Sequence, residues 1–261
     1  MELDLVPFAG LPPWVIAAVL ACHFLGFFIR GAFGFGSNMP IVLLTTWMLG
    51  PHHAVVLVVL AATASQVHLF PQGVRTADWS VVRALVGGVT VGVAIGTWLF
   101  DRLPADWLTM VLGLLVSAIV LMDRLRVIDR LSRRINLRNP LSFASLSLVS
   151  GTVGTVSGGG GIYFLVGFLK FMCPTPELFR STNLVLSGIF MLARIVFIAI
   201  AGYITPTALV EAGMLLPAVF LGTWAGTAFF RGASTERFYA VLQAVLLVAA
   251  AMLIARGIAQ I

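Results

Sequence analysis

Residues 150–163 read SGTVGTVSGGGGIY, and the four consecutive glycines at 158–161 separate two strongly apolar stretches. Non-helical backbone is tolerated at membrane depth only where it is covered by protein or lines a cavity. Glycine also lets a ligand approach the backbone closely. The stretch therefore predicts a helix that breaks inside an apolar protein, next to a functional cavity. Close helix packing is the alternative, because small residues often serve that purpose in membranes.

The composition around this stretch is that of a membrane protein. Of the 261 residues, 60% are hydrophobic and 10% are charged, and the mean hydropathy is +1.05. Apolar runs of the roughly 20 residues that a helix needs to cross a bilayer recur along the chain. The runs Val111–Met122 and Val241–Ile254 are apolar on every side, whereas the strands of a β-barrel alternate in polarity. We therefore predict an all-α polytopic membrane protein.

Breaks in the apolar pattern divide the chain into ten predicted helical segments: 12–33, 38–49, 52–72, 79–101, 104–122, 140–156, 160–172, 176–203, 206–230 and 235–257. The second and the seventh are too short to span a bilayer at a rise of ~1.5 Å per residue. Each follows a glycine-rich break, GAFGFGSNMP at 31–40 and VSGGGGIY at 156–163. The sequence therefore predicts one interrupted helical hairpin in each half of the chain.

The two halves are predicted to be an internal repeat. The tripeptide Gly-Thr-Trp at 96–98 recurs at 222–224, in the corresponding segment of the second half. The expected organisation is an N-terminal repeat, 1–122, a basic linker, 123–140, and a C-terminal repeat, 141–261. Each repeat is expected to contain a glycine-broken hairpin and three spanning helices.

The basic residues predict the orientation, because cytoplasmic loops near membrane segments collect lysine and arginine. Placing the 123–140 linker in the cytoplasm puts most of the 16 basic residues on the inner side and both termini outside. The two repeats then enter the membrane from opposite sides, so that they are inverted. Inverted repeats with interrupted helices are typical of secondary transporters, whose substrate site lies near the midplane where the breaks meet. We expect a multi-pass protein of the cytoplasmic (inner) membrane.

Two arginines are predicted to lie inside membrane segments. Arg30 precedes the first glycine break, and Arg194 lies within the eighth segment. A charge at the bilayer centre costs about 2.5–3.5 kcal/mol or more, so each arginine needs a partner or a watery cavity. No Asp or Glu is predicted at the same depth, and a guanidinium suits an oxyanion. The alternative is that each arginine reaches the interface or caps backbone carbonyls at a helix break.

The chain also resembles the TauE/SafE family of sulfite and organosulfur anion exporters. The resemblance covers about residues 20–256, in a duplicated pattern of glycine-rich segment, short apolar helix, Pro-containing turn and Ser- or Thr-bearing helix. The second half matches better, in SGTVGTVSGGGGIYFLVGFLKFMCPTPELFRSTNLVLSG. The first half departs from it, with GAFGFGSNMP in place of a glycine run. The resemblance implies anion export, and the departure concerns the substrate more than the fold.

The predicted substrate site combines the two arginines, the two breaks and the Ser-Thr-Asn step that opens the eighth segment. Backbone N–H groups released at the second break are expected to attract an anion. Hydroxyl and amide side chains nearby are expected to replace its hydration water, although each can instead bond to helix backbone. The expected substrate-binding residues are Arg30, Gly34, Gly36, Ser37, Asn38, Ser157, Gly158, Gly159, Gly160, Gly161, Ser181, Thr182, Asn183 and Arg194.

We expect a secondary transporter that exports sulfite or an organosulfonate by alternating access. An anion channel, and a permease that imports a small carboxylate or sulfur anion, stay open as alternatives. The sequence contains no nucleophile-and-base motif or metal-ligand spacing, so it predicts neither an enzyme nor a metal or other cofactor. The +6 net charge follows from the loop arginines, so no nucleic-acid partner is expected. The predicted partners are the small anion and the lipid bilayer, and a homo-oligomer stays open.

The remaining polar residues are predicted to be structural. The two cysteines lie far apart in apolar sequence and are expected to be buried thiols without a disulfide. His52 and His53 are expected to be packed or interfacial, and His23 or His68 could carry a proton in a coupled cycle. Glu211 is expected only about a turn and a half into its helix, close to the membrane surface.

Overall fold

The computed structural model describes residues 7–33, 38–125, 127, 130, 140–159, 165, 169, 172–229 and 235–260. The helices are α1 Pro13–Phe33, α2 Asn38–Leu49, α3 Pro51–Val74, α4 Trp79–Arg102, α5 Ala105–Arg124, α6 Pro140–Val156, α7 Pro176–Ile200, α8 Pro206–Phe229 and α9 Thr235–Gln260. The predicted boundaries agree with these bounds to within about three residues. The seventh predicted segment, 160–172, lies outside the described residues apart from isolated positions.

The described helices confirm the predicted all-α membrane class. Within the described part of the chain, five helical stretches are long and apolar enough to cross a bilayer: Pro13–Gly31, Trp79–Arg102, Ala105–Met122, Glu177–Ile200 and Pro206–Gly226. Large apolar side chains on these helices, among them Leu114, Leu192 and Trp224, are exposed, as expected of positions that face lipid. Helix α2, with 12 residues, is shorter than a span, as the sequence predicts.

The chain forms two compact units, and each unit combines helices from both halves of the sequence. Unit 1 holds Met1–Ala62, Pro104–Leu114 and Gly202–Ile261, and unit 2 holds Thr63–Leu103 and Leu115–Ala201. Within unit 1, α1 packs closely on α8, and within unit 2, α4 packs closely on α6. The compact units are therefore not the sequence repeats, which stay a prediction.

Glycines allow the close packing within each unit. In unit 2, a Cβ added at Gly96 would lie 2.8 Å from the carbonyl oxygen of Thr152 on α6. In unit 1, a Cβ added at Gly222 would lie 2.4 Å from the carbonyl oxygen of Phe24 on α1. Both glycines begin the recurring Gly-Thr-Trp tripeptide, so its two copies serve the same purpose of bringing two helix backbones into contact.

Adding one methyl group at Gly92 is expected to destabilise unit 2. The new Cβ would lie 2.3 Å from the carbonyl oxygen of Leu148, and because the obstacle is backbone, α4 and α6 must move apart, at a cost of about 1–3 kcal/mol. Gly92→Ala should therefore lower the thermal unfolding midpoint in detergent by about 3–10 °C. Gly87→Ala on the same helix is the matched control, since a Cβ there meets nothing within 4 Å. Equal midpoints for the two variants would contradict this packing.

Candidate functional site

Helix α6 ends at the glycine run in a regular cap. Gly158 has a φ of 76° and Gly159 a φ of 125°, values that residues with a side chain rarely adopt. The N–H of Gly159 donates to the Gly154 carbonyl over 2.6 Å, and the N–H of Gly158 donates to the Thr155 carbonyl over 3.4 Å. These are the two hydrogen bonds of a Schellman cap, with Gly158 in the left-handed position after the helix. The predicted end of this helix at the glycine run is therefore confirmed.

The cap changes what the first two glycines of the run contribute. The sequence predicts backbone N–H groups that are available to a ligand, and for Gly158 and Gly159 this prediction is wrong, because both groups bond to carbonyls of α6. The end of α6 is also a carbonyl end, which carries a partial negative charge. A cation is therefore favoured at this point.

Arg194 on α7 supplies that cation. Its side chain is fully buried, with 0% exposed, and its Nη2 donates to the Thr155 carbonyl oxygen over 2.8 Å. In the described structure its Nε and Nη1 have no hydrogen-bond partner, and no described carboxylate forms an ion pair with it. The expectation that a buried arginine caps a helix break thus holds for one nitrogen, while the other two are left without an acceptor.

Such a guanidinium is costly to bury. Each buried donor without a partner costs about 1–3 kcal/mol, and more when it is charged. The partial negative charge at the end of α6 returns up to ~2 kcal/mol in partly buried geometries. An anion that accepts from Nε–H or from Nη1–H would offset part of this cost, because the hydrogen bond would be charge-assisted.

The two hydroxyls at this end of α6 are already committed as donors. The Thr155 hydroxyl donates to the Gly151 carbonyl over 2.8 Å, and the Ser157 hydroxyl donates to the Val153 carbonyl over 2.6 Å. Both side chains are buried. Arg194 therefore provides the donors at this end of α6, and Ser157, Gly158 and Gly159 shape the backbone around it.

The Ser-Thr-Asn step lies elsewhere in unit 2. The hydroxyls of Ser181 and Thr76 are hydrogen-bonded over 2.7 Å, and the Thr182 hydroxyl oxygen accepts from the N–H of Asp78 over 3.0 Å. These bonds fix the turn between α3 and α4. More than three turns of continuous helix separate this step from Arg194. One small anion cannot contact both Arg194 and the hydroxyls of Ser181 and Thr182. The residues of the predicted site therefore do not form one binding site.

Asn183 differs from its two neighbours, because its Oδ1 is buried and has no partner in the described structure. About three helical turns place it on the same face of α7 as Arg194. The atom left without a partner is an acceptor, so a donor such as a water molecule would satisfy it. Asn183 is therefore the member of the step that keeps polar capacity for a ligand.

Arg30 lies in unit 1, in the last turn of α1. It is buried, and its guanidinium lies 6.0 Å from the centroid of the Phe27 ring, a cation–π distance. The next residue, Gly31, packs against α8, where an added Cβ would lie 2.1 Å from the Thr223 carbonyl oxygen. Asn38 begins α2 and is buried.

The predicted site residues that lie outside the described residues are Gly34, Gly36, Ser37, Gly160 and Gly161.

These features define a multi-pass helical membrane protein with a buried, incompletely bonded arginine at a glycine-capped helix end. The chain matches the sulfite exporter TauE/SafE family over residues 18–253 and belongs to that family. The resemblance found in the sequence is thus confirmed, and the family is one of membrane transporters. No curated protein and no solved structure gives a significant match.

Proposed function

We propose that the protein is a secondary transporter that exports a small oxyanion, sulfite or an organosulfonate, across the cytoplasmic membrane. One observation carries the proposal: Arg194 is fully buried, and in the described structure its Nε and Nη1 have no partner. Membership in the family supports an anion as the solute. An oxyanion that accepts from one of these nitrogens would neutralise the charge and satisfy that donor at the same time.

The bond between Arg194 and Thr155 suits a site that must also release its ligand. Transport requires binding that is strong enough for entry and weak enough for exit. The Thr155 carbonyl holds Nη2 at 2.8 Å and places the partial negative charge of a helix end beside the guanidinium. The anion is therefore held less tightly than it would be by an isolated buried arginine.

Alternating access of two inverted repeats, 1–122 and 141–261, is the proposed mechanism. Its support is that the two copies of the Gly-Thr-Trp tripeptide lie at corresponding crossings, α4 on α6 and α8 on α1. Arg30 and Asn38 are proposed to bind the anion in the first repeat, as Arg194 is proposed to bind it in the second. The proposed orientation has the linker 123–140 in the cytoplasm and both termini outside.

An inside-negative membrane potential favours the export of an anion. An inside-negative potential assists the exit of an anion by ~2.3 kcal/mol per charge per 100 mV. Export of sulfite therefore needs no coupled ion, although the proposal does not require uniport.

Flux of radiolabelled sulfite from proteoliposomes tests the proposed function. A carrier gives a rate that saturates with concentration and increases when unlabelled sulfite is present on the opposite side. Taurine, sulfate, acetate and chloride serve as competitors that define the solute. Flux that rises linearly with concentration and shows no exchange would favour a channel, and the absence of flux for every sulfur oxyanion would contradict the proposal.

A further inference from the structure

Helix α7 has two faces of different character. Asn183, Ser187 and Arg194 lie within ~40° of one another around the helix, at ~100° per residue. Asn183 and Arg194 are buried, and Ser187 is partly buried. Leu192 and Val196 lie on the opposite face and are 63% and 47% exposed. Because α7 contains the spanning stretch Glu177–Ile200, the apolar face meets lipid and the polar face lies inside the protein.

The polar face of α7 holds unbonded atoms at two depths. In the described structure, Oδ1 of Asn183 and Nε and Nη1 of Arg194 have no hydrogen-bond partner. Their positions are ~16 Å apart along the helix axis, at a rise of ~1.5 Å per residue. Each such atom costs about 1–3 kcal/mol when it is buried. One small anion does not reach both residues, so the atoms at the two depths need separate partners.

Helices α4, α6 and α7 of unit 2 run in the same direction. On α4, a Cβ added at Gly88 would meet Ser147 of α6, and a Cβ added at Gly96 would meet Thr155. The carbonyl of that threonine accepts from Arg194 on α7. The N-terminal ends of α4 and α7 are joined through the Ser-Thr-Asn step. Depths on the three helices can therefore be compared by counting residues from these contacts.

Ser150 on α6 is a further buried group without a partner. It is 1% exposed, and in the described structure its Oγ makes no hydrogen bond, whereas other hydroxyls of α6 donate to carbonyls of their own helix. It precedes Thr155 by ~7.5 Å along the axis. Its depth is therefore between those of Asn183 and Arg194, and close to that of Ser187.

We propose that Ser150, Ser187 and Asn183 line a hydrated route along which the anion moves between Arg194 and the N-terminal end of α7. The proposal rests on the proposed function, because the route serves an oxyanion that Arg194 binds. Buried polar atoms without a protein partner bind water. A serine hydroxyl donates to an anion or accepts from its water, and an amide oxygen accepts from water.

The lining of this route suits passage rather than storage. The three side chains are neutral, so they replace hydration water without holding the anion as a second cation would. In the proposed orientation, the N-terminal end of α7 faces the cytoplasm. The route is therefore the path by which an exported anion reaches Arg194.

Reaction of introduced cysteines with a negatively charged methanethiosulfonate reagent tests the route. The native cysteines are first replaced, as Cys22→Ala and Cys173→Ala, and the protein in proteoliposomes receives the reagent on both sides. Ser187→Cys and Ser150→Cys should react at least about tenfold faster than Leu192→Cys, because the reactive thiolate forms in water and not in apolar surroundings. Leu192 is the matched control on the opposite face. It lies nearer to an end of α7 than Ser187 does, so depth alone would favour the control.

The charge of the reagent tests whether the route takes anions. Ser187→Cys should react faster with the negative reagent than with its trimethylammonium analogue, once both rates are divided by those with a free thiol in solution, since Arg194 attracts anions. The opposite preference would overturn the assignment to an anion.

The route and the proposed function fail in different ways. A folded Ser187→Cys or Ser150→Cys that reacts no faster than Leu192→Cys would overturn the route, and if one of the two does not fold, the other decides. Sulfite flux in the wild type together with unreactive cysteines would overturn the route alone. Reactive cysteines in a protein that carries no sulfur oxyanion would support a hydrated route and contradict the proposed function.

Discussion

Replacement of Arg194 by glutamine is expected to reduce sulfite transport at least about 100-fold, because each lost hydrogen bond to a charged group costs about 1.5–3 kcal/mol. The same variant should be at least as stable as the wild type. It removes a buried charge with two unbonded nitrogens, and replacing such charges by neutral groups is often neutral or stabilising. Proteoliposome flux and thermal unfolding without added anion measure the two effects.

Arg180→Gln is the matched control, since Arg180 lies on the same helix with an exposed side chain. It should transport like the wild type. Arg194→Lys keeps the charge but loses the planar set of donors, so its transport rate should lie between those of the wild type and Arg194→Gln. Transport at the wild-type rate by Arg194→Gln would remove this residue from the site. A large loss of stability with unchanged anion affinity would assign Arg194 to capping α6 alone.

Gly158→Ala is expected to weaken both stability and anion binding. Gly158 has a φ of 76°, and a side chain in that region costs about 1–2 kcal/mol. Relief of this strain displaces the cap and the Thr155 carbonyl that holds Arg194, and small misplacements at a functional site reduce activity severely, here by about tenfold or more in affinity. The thermal midpoint and its increase with added sulfite measure the two effects.

Gly202→Ala separates strain from function. Gly202, which follows α7, has a φ of 81°, and a Cβ there meets nothing within 4 Å. The variant should lose a similar amount of stability and keep the anion affinity of the wild type. Equal losses of affinity in both variants would show that the effect of Gly158→Ala is global rather than local.

The helices of this chain can be predicted from sequence because long apolar runs are separated by clear breaks. The ends of α1, α2 and α6 lie where the pattern places them. Their partners cannot be predicted in the same way. The packing of α1 on α8 and of α4 on α6 joins opposite halves of the chain. A glycine such as Gly92 shows that close contact is possible, but it does not identify the facing helix.

The candidate site could be predicted only in part. Arg194 could be predicted as a site residue because a charged side chain within an apolar helix needs a partner or a watery cavity. Its observed partner is the carbonyl of Thr155, and every residue has a carbonyl, so the sequence holds no signal for that bond. Ser181 and Thr182 bond to the turn between α3 and α4 instead of lying beside Arg194, because hydroxyls suit backbone and ligand equally.

Glu211 and His53, whose side chains are hydrogen-bonded to each other in unit 1, also form a contact that the sequence does not predict. They are 158 positions apart and carry no shared motif. Neither is notable by itself, since each lies near the end of a helix, where a polar side chain is ordinary. Their contact results from the way in which the helices of unit 1 pack, and this packing cannot be predicted from the sequence.

Anomalous diffraction from crystals grown with selenite, the selenium analogue of sulfite, would test the central claim most directly. The account predicts a selenium peak beside Arg194, with an oxygen of the anion within about 3 Å of Nε or Nη1. Selenium peaks confined to the protein surface, with Nε and Nη1 bonded to groups of the protein itself, would contradict it.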